Sequence, residues 1–168
     1  METGRPSGYS RRFGCLDQEA AKGKWPSKPR AFRPETKQEA ASLRLLLDTS
    51  VLIDALRGRK DRRALLKEFV QAGHILATTS LNVAEVYAGM RANEEAATES
   101  FLNALECFEL TASAGRLAGR LVSEWRQRGR TLELPDTVVA AICIEKDCVL
   151  VTDNRRDFPM REVKLYPI

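Results

Sequence analysis

The chain has a single histidine, His74, and no C-x-x-C pair among its four cysteines. A zinc site built on sulfur and imidazole is therefore not expected, nor is catalysis by a histidine base. His74 follows Gly73 between a helical and an apolar stretch and reads as a surface loop residue. Cys107, Cys143 and Cys148 lie in apolar stretches and read as small core residues rather than a disulfide framework. No apolar run approaches the roughly 20 residues of a membrane span, and no apolar segment follows the basic N-terminus as in a secretory leader. Both observations point to a cytoplasmic protein without a membrane partner.

Excess charge is also missing where it would be informative. The formal net charge is +4, but residues 1–43 carry nine Lys/Arg against five Asp/Glu, and residues 44–168 carry eighteen of each. Net charge therefore says nothing about partners of the folded part; only local clusters can. Residues 1–41 lack periodic apolar positions, and Pro6, Pro26, Pro29 and Pro34 interrupt any long helix. They are expected to be a disordered basic extension. Such an extension is either a basic arm that helps to hold RNA or an artefact of an upstream start codon, and the second reading is the simpler.

What is present begins at Leu43. The run Leu43–Leu47 stops at Asp48 and has the shortness of a strand buried on both faces. Helices are predicted over 49–56, 61–72, 80–91, 93–105, 113–127 and 135–146. Short strands are predicted over 75–77, 108–110, 149–151 and 163–165. Ser80 is expected to cap its helix. Strands that alternate with helices imply an α/β fold, a three-layer α/β/α sandwich with a mostly parallel central sheet. The domain should occupy residues 42–168. Ligands of such folds bind beyond the carboxyl ends of the strands.

Four acidic residues occupy those places. Asp48 follows the first strand, and Glu85 lies a turn inside the helix after the second. Asp136 starts the helix before the next strand, and Asp153 follows that strand. Singly, each aspartate also fits as a helix cap or turn residue. Glu85 is harder to explain locally: Leu81, Val83, Ala84, Val86, Tyr87 and Ala88 surround it, so its helix is predicted to be buried on most sides. No Lys or Arg lies between His74 and Met90 to neutralise it. A buried carboxylate without a partner is costly. Carboxylates gathered on one rim repel each other, and a hard divalent cation with oxygen ligands would relieve this. That is the usual apparatus for attack on a phosphodiester by a metal-activated water.

At this point the chain resembles the PIN-domain family, and within it the VapC-type toxins of toxin–antitoxin pairs. Leu46-Leu47-Asp48-Thr49-Ser50-Val51-Leu52-Ile53 is similar to the first family motif, and Ser80 to Gly89 to the second, with its acidic residue and a glycine four later. Leu134 to Ala141 resembles the third, and Leu150 to Phe158 the fourth, ending in Asp157-Phe158. The resemblance spans nearly all of 43–168, and the four motifs in this order are far more specific than any one alone. It implies an endoribonuclease dependent on Mg²⁺ or Mn²⁺, commonly a homodimer, restrained by a cognate VapB-like antitoxin. By position it makes Asp48, Glu85, Asp136 and Asp153 the catalytic, metal-holding quartet. Ser50, Thr152, Asn154 and Asp157 would support it, with Asp157 a local rival for the fourth place. Residues 1–41 have no counterpart in the pattern.

Arg57, with Arg59 and Lys60, and the pair Arg155 and Arg156 are candidates for the RNA backbone. Phosphate contacts position a strand without reading its sequence, so the target RNA is not legible. A haloacid-dehalogenase-like phosphatase would need a second aspartate where Ser50 stands, and a receiver domain would need an acidic pair before Asp48. Two readings remain beside the ribonuclease: a DNA-directed nuclease, and a catalytically degenerate PIN fold that binds nucleic acid or protein.

Overall fold

The structure, a computed structural model, describes residues 42–168. The basic extension expected for 1–41 lies outside the described residues. Five strands form one sheet: β1 (Arg44–Leu47), β2 (Ile75–Thr79), β3 (Glu106–Phe108), β4 (Val149–Val151) and β5 (Lys164–Leu165), in the order β3-β2-β1-β4-β5. Every pairing is parallel. Six helices connect them: α1 (Thr49–Leu56), α2 (Arg62–Gln71), α3 (Ser80–Ala88), α4 (Glu95–Leu102), α5 (Ala112–Gln127) and α6 (Leu134–Glu145). A short 3-10 turn, Arg155–Asp157, follows β4.

The leucine run of β1 explains the layering. Leu45, Leu46 and Leu47 are all fully buried. Successive side chains of a strand point to opposite faces, and here they enter two different cores. Leu46 packs with Ala114, Ala118 and Leu121 of α5 and with the apolar face of α6. Leu45 and Leu47 pack with Val51 and Leu52 of α1, Leu66 and Phe69 of α2, Val86 of α3 and Leu102 of α4. The result is the expected three-layer sandwich, with β1 at its centre. Truncating one of these leucines to alanine would cost about 2–5 kcal/mol.

Four local expectations need correction. Thr79, not Ser80, caps α3: its hydroxyl accepts from the Asn82 amide at 3.1 Å. The helix is also not buried on most sides, since only Asn82 and Val86 are buried while Ala84, Tyr87 and Ala88 face outward. Cys107 is exposed, because it lies in the edge strand β3, whereas Cys143 and Cys148 are buried. His74 is half-buried and structural: its Nδ1 accepts from the Leu43 amide at 3.2 Å, at the entry to β1. Among the described residues no helix is long and apolar enough to cross a membrane.

Candidate active site

The register Leu47↔Val151 puts the ends of the central strands β1 and β4 side by side. One step further on, Asp48 and Thr152 meet on the same rim. The Asp48 amide donates to the Val151 carbonyl at 3.1 Å, which extends the ladder by one bond. Its side chain is both the N-cap of α1 and a buried carboxylate. One oxygen accepts from the Thr49 amide at 2.8 Å, the other from Thr152 Oγ1 at 2.7 Å and Ser50 Oγ at 3.3 Å. The capping and functional readings of Asp48 are therefore compatible. Burial raises its pKa, the three donors oppose that, and the charge of Glu85 adds to the rise.

Glu85 reaches this corner through a chain of short polar side chains. Thr79 Oγ1 donates to Asn82 Oδ1 at 2.5 Å, Asn82 Nδ2 donates to Thr49 Oγ1 at 2.8 Å, and the Thr49 hydroxyl donates to Glu85 Oε2. Thr79 and Asn82 are fully buried, so these bonds meet needs that water cannot. Asn82 and Glu85 are three residues apart on α3, so they share one face. No cation approaches Glu85 within ion-pair distance among the described residues. The sequence reading missed Thr49, Thr79 and Asn82. The available signal was a polar residue one turn before Glu85 on an otherwise apolar helix.

Asp136 sits in the first turn of α6, behind Pro135. It does not cap that helix, whose N-cap is Glu133. Among the described residues no group donates a hydrogen bond to its carboxylate. Burial, and after it the negative charges of Asp157, Asp48, Glu85 and Glu133, together raise its pKa from 3.8 to about 6. Asp157, Asp48, Glu85 and Glu133 are thus the acids whose charge reaches it.

The segment after β4 separates the remaining acids. Thr152 turns inward to Asp48, and Asp153, the next residue, turns the other way. Asp153 meets Lys60 Nζ at 2.9 Å and Arg62 Nη2 at 2.5 Å. Burial pushes the Asp153 carboxyl up, but the bonds from Lys60 and Arg62 outweigh it and hold the group below its ordinary value. Lys60 is shared with Asp54 at 2.8 Å, and Arg62 is 7% exposed. Asn154 donates its amide to Thr152 Oγ1 at 2.9 Å and its side chain to Asp157, whose charge bears on Asp136. The structure therefore sets Asp48, Glu85 and Asp157 within electrostatic reach of Asp136 and commits Asp153 to an ion-pair cluster. The separation is local: just past β4 Thr152 turns to Asp48 and Asp153 to Lys60 and Arg62, and the 3-10 turn carries Asp157.

Among the described residues no three acidic, histidine or cysteine side chains are drawn close enough to chelate an ion as they stand. The donor set still suits a hard cation, because it is all carboxylate oxygen, and Asp136 has no hydrogen bond that an ion would have to displace. The basic candidates divide as well. Arg57 is spent on the Gly89 carbonyl at 3.1 Å and on Glu94 at 4.0 Å. Arg155 and Arg156 belong to the 3-10 turn that carries Asp157. Lys60, named with Arg57, belongs instead with Arg62 around Asp153.

Comparison with known proteins bears on the fold and the family. The PIN domain family model matches residues 45–164. Ribonuclease VapC19 of Mycobacterium tuberculosis is 36% identical over 115 residues, 68% of this chain and 92% of the relative. Ribonuclease VapC10 of the same organism is 31% identical over 118 residues, 70% of this chain and 88% of the relative. Among solved structures, VapBC2 from Rickettsia felis bound to a DNA fragment from their promoter superposes with a TM-score of 0.66 at 22% identity, over 73% of this chain and 97% of that one. A toxin–antitoxin complex from Klebsiella pneumoniae gives a TM-score of 0.61 at 24% identity, over 74% and 99%. The two superpositions speak for the fold. The family match and the sequence identities speak for descent, and on them the chain belongs to the PIN-domain family, alongside the VapC ribonucleases.

Proposed function

We propose that this chain is a metal-dependent endoribonuclease, the toxin of a toxin–antitoxin pair, that hydrolyses RNA phosphodiester bonds. The observation that carries the reading is Asp136, which is without a donor and raised to about 6 by burial and by the acids around it. Such a cluster is unfavourable without a cation. Oxygen-only donors favour Mg²⁺, with Mn²⁺ as a substitute. Asp48, Glu85 and Asp136 would hold the ion, with Asp157 in the fourth place. A bound ion of this kind supplies an activated water and neutralises charge that develops on the phosphate.

The chain's own residues set up that chemistry. Thr152 and Ser50 aim the Asp48 carboxylate, and Thr49, steadied by Asn82, aims Glu85. Asp153 fixes the connection between α1 and α2 through Lys60 and Arg62. Residues 42–168 make up the nuclease domain and 1–41 an extension to it. A VapB-like antitoxin is the expected partner, since the superposed Klebsiella structure is a toxin–antitoxin complex and the Rickettsia structure is of VapBC2. A homodimer fits the exposed Val70 and Ile75 within the span 61–105. The setting is cytoplasmic, where RNA is available.

The test is cleavage of total cellular RNA by purified protein with Mg²⁺, with EDTA, and with Asp48→Ala. Metal-dependent cleavage lost in the variant supports the assignment. No cleavage, together with no Mn²⁺ uptake by calorimetry, would instead identify a degenerate PIN fold that only binds.

A further inference from the structure

Two basic groups flank the acid centre, and they use their charge differently. On one flank Lys60 and Arg62 are paired with Asp54 and Asp153, so that group is neutral as a unit. On the other flank lie the α5–α6 connection and the 3-10 turn. There Arg130, Arg155 and Arg156 have no carboxylate within ion-pair distance among the described residues. Positive charge without a carboxylate partner therefore lies in the turn that carries Asp157 and in the connection that leads to Asp136.

That side also has a particular surface. Half-buried Trp125, near the end of α5, packs its inner part against the core. The guanidinium groups of Arg128 and Arg130 lie over its ring, 5.5 and 5.6 Å from the centroid. Arg130 also donates to the Arg156 carbonyl, so the corner is tied to the turn that carries Asp157. Between this corner and Asp136 the chain exposes Leu134, 57% accessible at the first position of α6. A guanidinium held over an aromatic ring combines a cation with a π surface. Aromatic and cationic groups beside an exposed apolar side chain suit unpaired bases and the phosphates that join them. An acidic peptide would need the charge but not the aromatic ring. A duplex would keep its bases stacked on each other and away from Leu134.

We infer that Trp125, Arg128, Arg130 and Leu134 form a platform that holds single-stranded RNA and leads it to the acid centre. The inference rests on the ribonuclease reading above and adds the side from which the strand enters and its unpaired state.

The experiment separates binding from cleavage. The full chain carrying Asp136→Asn is titrated into a fluorescein-labelled single-stranded RNA of mixed sequence, about ten nucleotides long, and anisotropy is read at several salt concentrations. Combining Arg128→Gln with Arg130→Gln should weaken binding about tenfold and lower the slope of log K against log salt by roughly one. Arg130→Lys should keep the slope and still weaken binding, because it retains the charge and loses the guanidinium. Both arginines are exposed, so an unchanged melting temperature is expected and serves as the control for folding. Unchanged affinity and slope in the double variant would overturn the platform. So would equal affinity for a duplex of the same sequence. If the unmutated chain fails to cleave RNA while the double variant still loses binding, the nuclease reading falls and the platform stands.

Discussion

Thr152 donates its hydroxyl to the Asp48 carboxylate at 2.7 Å, across the ends of two adjacent parallel strands. Thr152 is 1% and Asp48 9% exposed, so water replaces this bond poorly. The bond joins residues 104 positions apart and turns a strand-end aspartate into an aimed one. Thr152→Val should remove the donor while keeping the shape. A loss of about 1–3 kcal/mol is expected, with a fall in cleavage. Thr152→Ser should restore both. Chemical denaturation and a cleavage assay on the three proteins check this; a valine variant as active as the parent would show that the bond does not aim Asp48.

Asp136 should make the metal-free protein sensitive to pH. Its folded pKa of about 6 lies above the ordinary 3.8, so between those values the native state binds more protons than the unfolded chain. Stability therefore falls as pH rises through that window, and the penalty is complete above about pH 6. In EDTA at neutral pH, Asp136→Asn should stabilise the fold by about 1–2 kcal/mol while it abolishes cleavage with Mg²⁺. Melting temperatures across the pH range read the first effect. A variant less stable than the parent in EDTA would contradict the crowding of charge described here.

The fourth acid can be assigned by contrast. Asp157→Asn should lower cleavage about tenfold or more, equivalent to at least about 1.4 kcal/mol of transition-state stabilisation. Asp153→Asn should leave cleavage within a few-fold of the parent but destabilise the protein by about 2 kcal/mol, because Arg62 is buried and Asp153 only partly so. The reverse pattern would return Asp153 to the ion.

Thr49 offers a test of the relay to Glu85. Thr49→Val takes away a hydroxyl that donates to Glu85 and accepts from Asn82. Weaker Mn²⁺ binding by calorimetry is expected, with recovery in Thr49→Ser. Equal affinity in the valine variant would show that Glu85 finds its position without Thr49.

Much of this molecule is local and so could be read along the chain. Three consecutive buried leucines before an aspartate make a central strand whatever follows. Helical spacing placed all six helices, with errors of a few residues at their ends, as at α3. The acidic residues after strands and at helix starts marked the rim, because parallel topology gathers those ends on one side. What the chain could not show were the partners brought by packing. Asp153 and Asp157 are four residues apart and equally acidic. Only the assembled structure brings Lys60 and Arg62 to one and Asp136 to the other. Glu85 appeared to lack a partner because its neighbours in sequence are apolar, yet Thr49 meets it from another helix. The open side of α3, the exposure of Cys107 and the role of His74 were hidden in the same way. Periodicity records which face of an element is apolar, whereas the identity of what lies against a polar group depends on segments tens of residues away.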